Sequence, residues 1–196
     1  MNKSMIFGIA LLLIIVYGCV SSGTITFNKG VKRINEIDNQ YGVGMKTVPN
    51  STGEINGLLA GLTGFAASNK DMPPSLKYLL DFRIKGLEAE LLHMEGWQWG
   101  RGSTTDWGFG CRKGSARILN SSKIRNSSAQ KGYESLDALK SLIEEFPQKA
   151  KSLDFSQKDV LFLNAAYQQV EDKAARDSRT IRSLCKEQIK ELNITI

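Results

Sequence analysis

Six apolar side chains, Leu76, Leu80, Ile84, Leu87, Leu91 and Met94, follow one another at steps of four or three. That spacing puts all six on one face of a helix, where residues three and four apart are surface neighbours. It predicts a helix over 75–95. Asp71-Met72-Pro73-Pro74 supplies the start, because proline is tolerated in a first turn, and Gly96 is the expected stop. A second long pattern follows. Ser156-Gln157-Lys158-Asp159 reads as a capping box with Ser156 as N-cap. Behind it Val160, Leu163, Tyr167, Val170, Ala174, Ile181 and Leu184 occupy heptad positions a and d, interrupted at Asp177. A helix over 157–192 would be about 54 Å long, and its apolar face is expected to be the spine of the core.

Three weaker patterns complete the reading. Val31, Ile34, Ile37 and Tyr41 predict a helix over 28–41. Ile55, Leu58, Leu59, Leu62 and Phe65 predict one over 53–68, weakened by Gly57, Gly61 and Gly64. Tyr133, Leu136, Leu139, Ile143 and Phe146 mark another, stopped by Pro147. The polar stretch 121–130 reads either as loop or as a helix with an exposed face. The expected fold is all-α, a bundle of four to five helices with a Gly/Trp-rich loop. With 41% apolar residues the chain is too rich in core-forming side chains for a disordered protein. Its single histidine rules out a His-rich metal site. No phosphate loop, dinucleotide-binding glycine pattern, zinc pattern or calcium loop is present, so neither a cofactor nor a metal is expected.

The first nineteen residues set the expected compartment. One cation, Lys3, precedes thirteen almost unbroken apolar residues, 5–17. This is the layout of a secretory signal, and it is shorter than a simple membrane span requires. Val16-Tyr17-Gly18-Cys19 then resembles the lipobox of prokaryotic membrane lipoproteins. The resemblance implies cleavage before Cys19 and lipidation of its thiol, which would hold the folded body at an extracytoplasmic membrane surface. The expected organisation is a signal peptide over 1–18, a lipid-anchored tether over 19–27 and one helical domain over 28–196. Of the chain's +6 charge, +5 would remain after the loss of Lys3. Bases interspersed with acids in an exported protein argue against nucleic acid as a partner. The expected partners are the membrane, through the anchor, and other envelope proteins or a glycan.

Export also organises the remaining cysteines. With Cys19 lipidated, Cys111 and Cys185 are left, and two thiols in an oxidising compartment read as one disulfide. Four triplets fit the N-glycosylation acceptor pattern, at Asn50, Asn120, Asn126 and Asn193. All three tryptophans, Trp97, Trp99 and Trp107, fall within eleven positions, among five glycines. Tryptophan faces stack on sugar rings or sit at membrane interfaces. Trp97, Trp99, Arg101, Asp106 and Trp107 are therefore the candidate ligand-binding residues. His93 shares a helix face with Glu90 and Trp97 and reads as a hydrogen-bonded structural residue. Arg176, Arg179 and Arg182 read as a solvated face with intrahelical ion pairs. The functional expectation is a non-enzymatic structural or interaction role at the cell envelope. The alternative is a glycan- or small-solute-binding module using the Trp97–Trp107 segment. Weakest is an envelope hydrolase with Glu95 and Asp106 as its carboxylate pair.

Overall fold

The computed structural model describes residues 25–101 and 111–191. Cys19, Asp106, Trp107 and Asn193 lie outside the described residues. Five long helices and two of six residues are present among those described, with no strand. They are α1 (Phe27–Asn39), α2 (Thr52–Ser68), α3 (Pro74–Arg101), α4 (Cys111–Glu145), α5 (Pro147–Ser152), α6 (Gln157–Leu184) and α7 (Lys186–Glu191). The all-α bundle tied by the Cys111–Cys185 disulfide is thus the observed fold.

Local chemistry explains most helix ends. The Thr26 hydroxyl accepts from the Lys29 N–H and starts α1 with Phe27 already buried. The Ser51 hydroxyl accepts from the Glu54 N–H and donates to its carboxylate at 2.8 Å, opening α2. Pro147 follows the end of α4 and begins α5. At α6 the Asp159 carboxylate accepts from both the N–H and the hydroxyl of Ser156, at 2.8 and 3.0 Å.

The core differs from the expected one in its axis. Leu76, Leu79, Leu80 and Leu87 of α3 and Leu136, Leu139 and Leu142 of α4 are all almost fully buried. These two antiparallel helices form the spine, with α1 and α2 packed on α3, and α6 packed on α4. The expectation that α6 is the spine is corrected. Val160, Ala174 and Ile181 are buried, but Leu163, Tyr167 and Val170 are half-buried and Leu184 is exposed. α6 also ends at Leu184, and the chain breaks at Cys185 before α7.

One further correction, and the outcome of one open alternative, concern small residues. Gly96 does not stop α3, which continues to Arg101. A Cβ at Gly96 would lie 2.7 Å from Cγ of Arg125, so the glycine lets α4 approach rather than ending a helix. The polar stretch 121–130 takes the helical alternative, with Lys123, Asn126 and Gln130 on its exposed face and Ser121, Ser122 and Ser128 buried. The hydroxyls of Ser121, Ser128 and Ser135 donate to the carbonyl oxygens of Gly96, Ala89 and Phe82, each at 2.7 Å. Both series step by seven, in opposite chain directions, so one antiparallel register satisfies all three hydroxyls. Such bonds contribute about 1 kcal/mol each. Ser128→Ala should therefore lower unfolding free energy by about 1 kcal/mol without changing helix content, as read by denaturant unfolding followed by circular dichroism.

Candidate functional site

The groove between α3 and α6 arises from packing order. Both helices lie against α4 but have almost no direct contact with each other. The space between them is a half-open cavity of about 430 Å³. From α3 it takes Phe82, Arg83, Gly86, Ala89, Glu90 and His93, residues at helical spacing on one face. From α6 come Phe162, Leu163, Ala166, Tyr167 and Val170. Ser128 of α4 lines it too, and Met45, Val48 and Phe155 contribute at one end. Small side chains at 86, 89, 128 and 166 leave the room, and Phe162 stands 74% exposed beside it, next to Leu161 at 69%. Phe162, Leu163, Ala166 and Val170 line the cavity together, and a contiguous apolar patch of this kind can mark a binding groove. Tyr167 fixes one wall, its ring packed so closely on Gly132 that a Cβ there would sit 2.3 Å from it.

The charged groups around this cavity are mostly compensated. Arg83 donates through Nε and a terminal nitrogen to Oδ1 of Asp38, at 3.1 and 2.9 Å, and both residues are buried. Burial, partly opposed by Arg83, holds the Asp38 carboxyl above its ordinary value. Its other oxygen, Oδ2, has no hydrogen-bond partner. Lys46 donates to the Asp154 carbonyl oxygen and to the Asp159 carboxylate at 3.0 Å, and stands 5.0 Å from the Phe155 ring centroid. Burial raises the Asp159 carboxyl, but hydrogen bonds from Lys46 and Ser156 outweigh it and leave it below its ordinary value. Glu90 is half-buried and holds no ion pair among the described residues. Burial raises the Tyr167 hydroxyl above its ordinary value, and the nearby Glu90 charge adds to the effect.

The residues singled out in the sequence fall elsewhere. Trp97 and Trp99 lie on the last turns of α3, not on a loop, and are 49% and 41% exposed. Trp97 Nε1 donates to His93 Nε2 at 3.0 Å, giving His93 its hydrogen bond, while buried His93 Nδ1 has no partner. Arg101 is the last residue of α3. Glu95 is exposed, and Asp106 falls outside the described residues, so no carboxylate pair is assembled from them here. Asn50 lies in an exposed bend just before α2, whereas Asn120 and Asn126 lie within α4. The hydroxyl residues of those two helical triplets, Ser122 and Ser128, are buried. Arg176, Arg179 and Arg182 are exposed, but Asp177 pairs across to Arg125 of α4 at 3.0 Å rather than within its own helix.

The Cys111–Cys185 bond joins the start of α4 to the end of α6, with an S–S distance of 2.02 Å. It borders a second small core of Ile118, Leu119, Ile181 and Cys185. Among the described residues no helix is long and apolar enough to cross a membrane. The chain matches no known family model, no curated protein and no solved structure.

Sequence reasoning missed the groove because a cavity between two helices that diverge over a third is a tertiary property. One signal was present. Leu161 and Phe162 are large apolar residues outside the a/d register of α6, which leaves them unexplained by the core.

Proposed function

We propose that this chain is a lipid-anchored extracytoplasmic protein with a non-enzymatic binding role at the cell envelope, working through the α3/α6 groove. The observation that carries the binding role is the groove, a mostly apolar half-open cavity of about 430 Å³ with exposed Phe162 at its edge. Its size and lining are those of small-molecule sites, which typically run to about 300–1,000 Å³. The membrane is the proposed partner through Cys19. The signal-like run before that cysteine supports the anchor, and a diacylglyceryl group on its thiol would hold the domain stably at a bilayer.

Two arms test the proposal on the full chain. Cys19→Ala should abolish incorporation of a labelled lipid precursor and release the protein from sedimented membranes. A variant that still takes up label would contradict the anchor. For the groove, a neutral alkyl diazirine is photolysed with the membrane-held protein and its adducts are mapped by mass spectrometry. Adducts should concentrate on α3 and α6 residues facing the cavity. Phe162→Asp should cut them by about tenfold or more, the equivalent of losing one large apolar contact. It should leave the melting temperature unchanged, because the side chain is exposed. Adducts scattered over the surface and indifferent to Phe162→Asp would overturn the binding role.

A second reading, glycan contact by Trp97 and Trp99, draws on their exposure at the end of α3. Quenching of their fluorescence by a soluble envelope oligosaccharide would favour it over the groove.

A further inference from the structure

The groove has a direction and a charge. Its α3 wall runs from Phe82 to His93, eleven residues, or about 16 Å. The cavity of about 430 Å³ lies along that wall. A helix with its side chains is about 10–12 Å across, so a stretch of it that long would fill far more than 430 Å³. A single extended hydrocarbon chain matches a long, narrow, apolar slot better than a partner helix does.

The two ends differ. At the end formed by the segment around Met45 and by Phe155, the cation Lys46 is engaged by Asp154 and Asp159. Midway, Arg83 is neutralised by Asp38. Neither has a charge left over for an anionic head group. At the other end, one turn of α3 carries Glu90 and His93. Glu90 is the lining carboxylate without an ion pair among the described residues, and it shares the lining with Ala89, Ala166, Tyr167 and Val170. An uncompensated carboxylate beside an apolar slot gains most from a cation that also brings a hydrocarbon chain.

We infer that the groove takes an amphiphile with a single hydrocarbon chain and a cationic, amine-bearing head group, the chain lying between α3 and α6 and the head at Glu90. The inference rests on the groove being a binding site, as proposed above. Occupation requires no covalent step. The ammonium group donates to the Glu90 carboxylate, and the chain replaces water against Ala89, Phe162, Ala166 and Val170.

The test uses three photoreactive probes of equal chain length, each with a diazirine in the chain and ending in an amine, an alcohol or a carboxylate. Each is photolysed with the full-length membrane-held protein, and groove adducts are quantified by mass spectrometry. The amine probe should label groove residues with at least about tenfold greater yield than the carboxylate, as expected for a charge-assisted contact, with the alcohol between them. Glu90→Gln should bring the amine and alcohol probes together while leaving alcohol labelling and the melting temperature unchanged. Ala166→Trp, which fills the slot from its rim, should suppress labelling by all three. Equal labelling by the three probes, or preference for the carboxylate, would overturn the head-group assignment while leaving the binding role standing. Failure of every probe to label the groove would overturn both.

Discussion

Arg83→Met should cost the fold about 3–5 kcal/mol, because it strands the Asp38 carboxylate in the core with neither partner nor water. Asp38 has essentially no exposed surface, and Arg83 supplies both of its hydrogen bonds through Oδ1. The loss should also depend on pH. Burial already holds Asp38 above its ordinary value even with Arg83 in place. An acid whose folded-state value is raised binds its proton more readily in the folded than in the unfolded chain, so its contribution to stability falls as pH rises from the ordinary carboxylate range through that raised value. Removing the guanidinium raises the value further. The deficit of Arg83→Met should therefore be largest at high pH and shrink as pH falls through the variant's further-raised value towards that of the parent. Guanidinium unfolding at several pH values measures this. The double variant Asp38→Leu with Arg83→Met removes both charges, and its stability should equal or exceed that of the parent. A single variant that loses less than about 1 kcal/mol at pH 7 would show that the pair is hydrated.

Loss of the Cys111–Cys185 bond should be the other large effect. The bond closes a loop across 74 positions, for which the chain-entropy account gives about 4 kcal/mol. The damage should not be uniform. Cys185 belongs to the small core with Ile118, Leu119 and Ile181, separate from the leucine core of α3 and α4. Cys111→Ser with Cys185→Ser should accordingly loosen the start of α4, the last turns of α6 and α7 first. Hydrogen exchange should quicken there while the amides around Leu80 and Leu139 stay protected. A uniform rise in exchange along α3 and α4 would instead show one cooperative core.

The sequence disclosed the elements better than their packing. Stripes such as Leu76, Leu80, Leu87 and Leu136, Leu139 are local consequences of helix geometry, and both sets proved to be core. The Ser156–Asp159 cap and the cysteine pairing were legible for the same reason, since each follows from a short-range or pairwise rule. Residues 121–130 stayed open between loop and helix because serine counts as polar in any composition-based reading, yet Ser121, Ser128 and Ser135 satisfy their hydroxyls on the neighbouring helix and are buried. Their seven-residue spacing, matched by small residues at Ala89 and Gly96, was the available sign. Gly96 misled because a glycine that ends a helix and a glycine that admits another helix look identical in one dimension. Of the candidate site, the sequence placed Glu90 and His93 on one face, but the opposite wall comes from α6, more than seventy residues away.

The three serine contacts between α3 and α4 carry one more consequence. A pattern that repeats every seven residues is satisfied again when one helix slides past the other by a heptad, about 10.5 Å. The serines therefore hold the two helices together while leaving their alignment ambiguous, like evenly spaced teeth on a rack. Unrepeated contacts must choose the tooth. The Tyr78 hydroxyl donating to the Glu145 carboxylate at 2.8 Å and the Arg125 side chain lying on Gly96 each occur once between α3 and α4. Contacts at the two ends of the helix pair thus set its alignment, and with it the level at which Ser128 faces the groove.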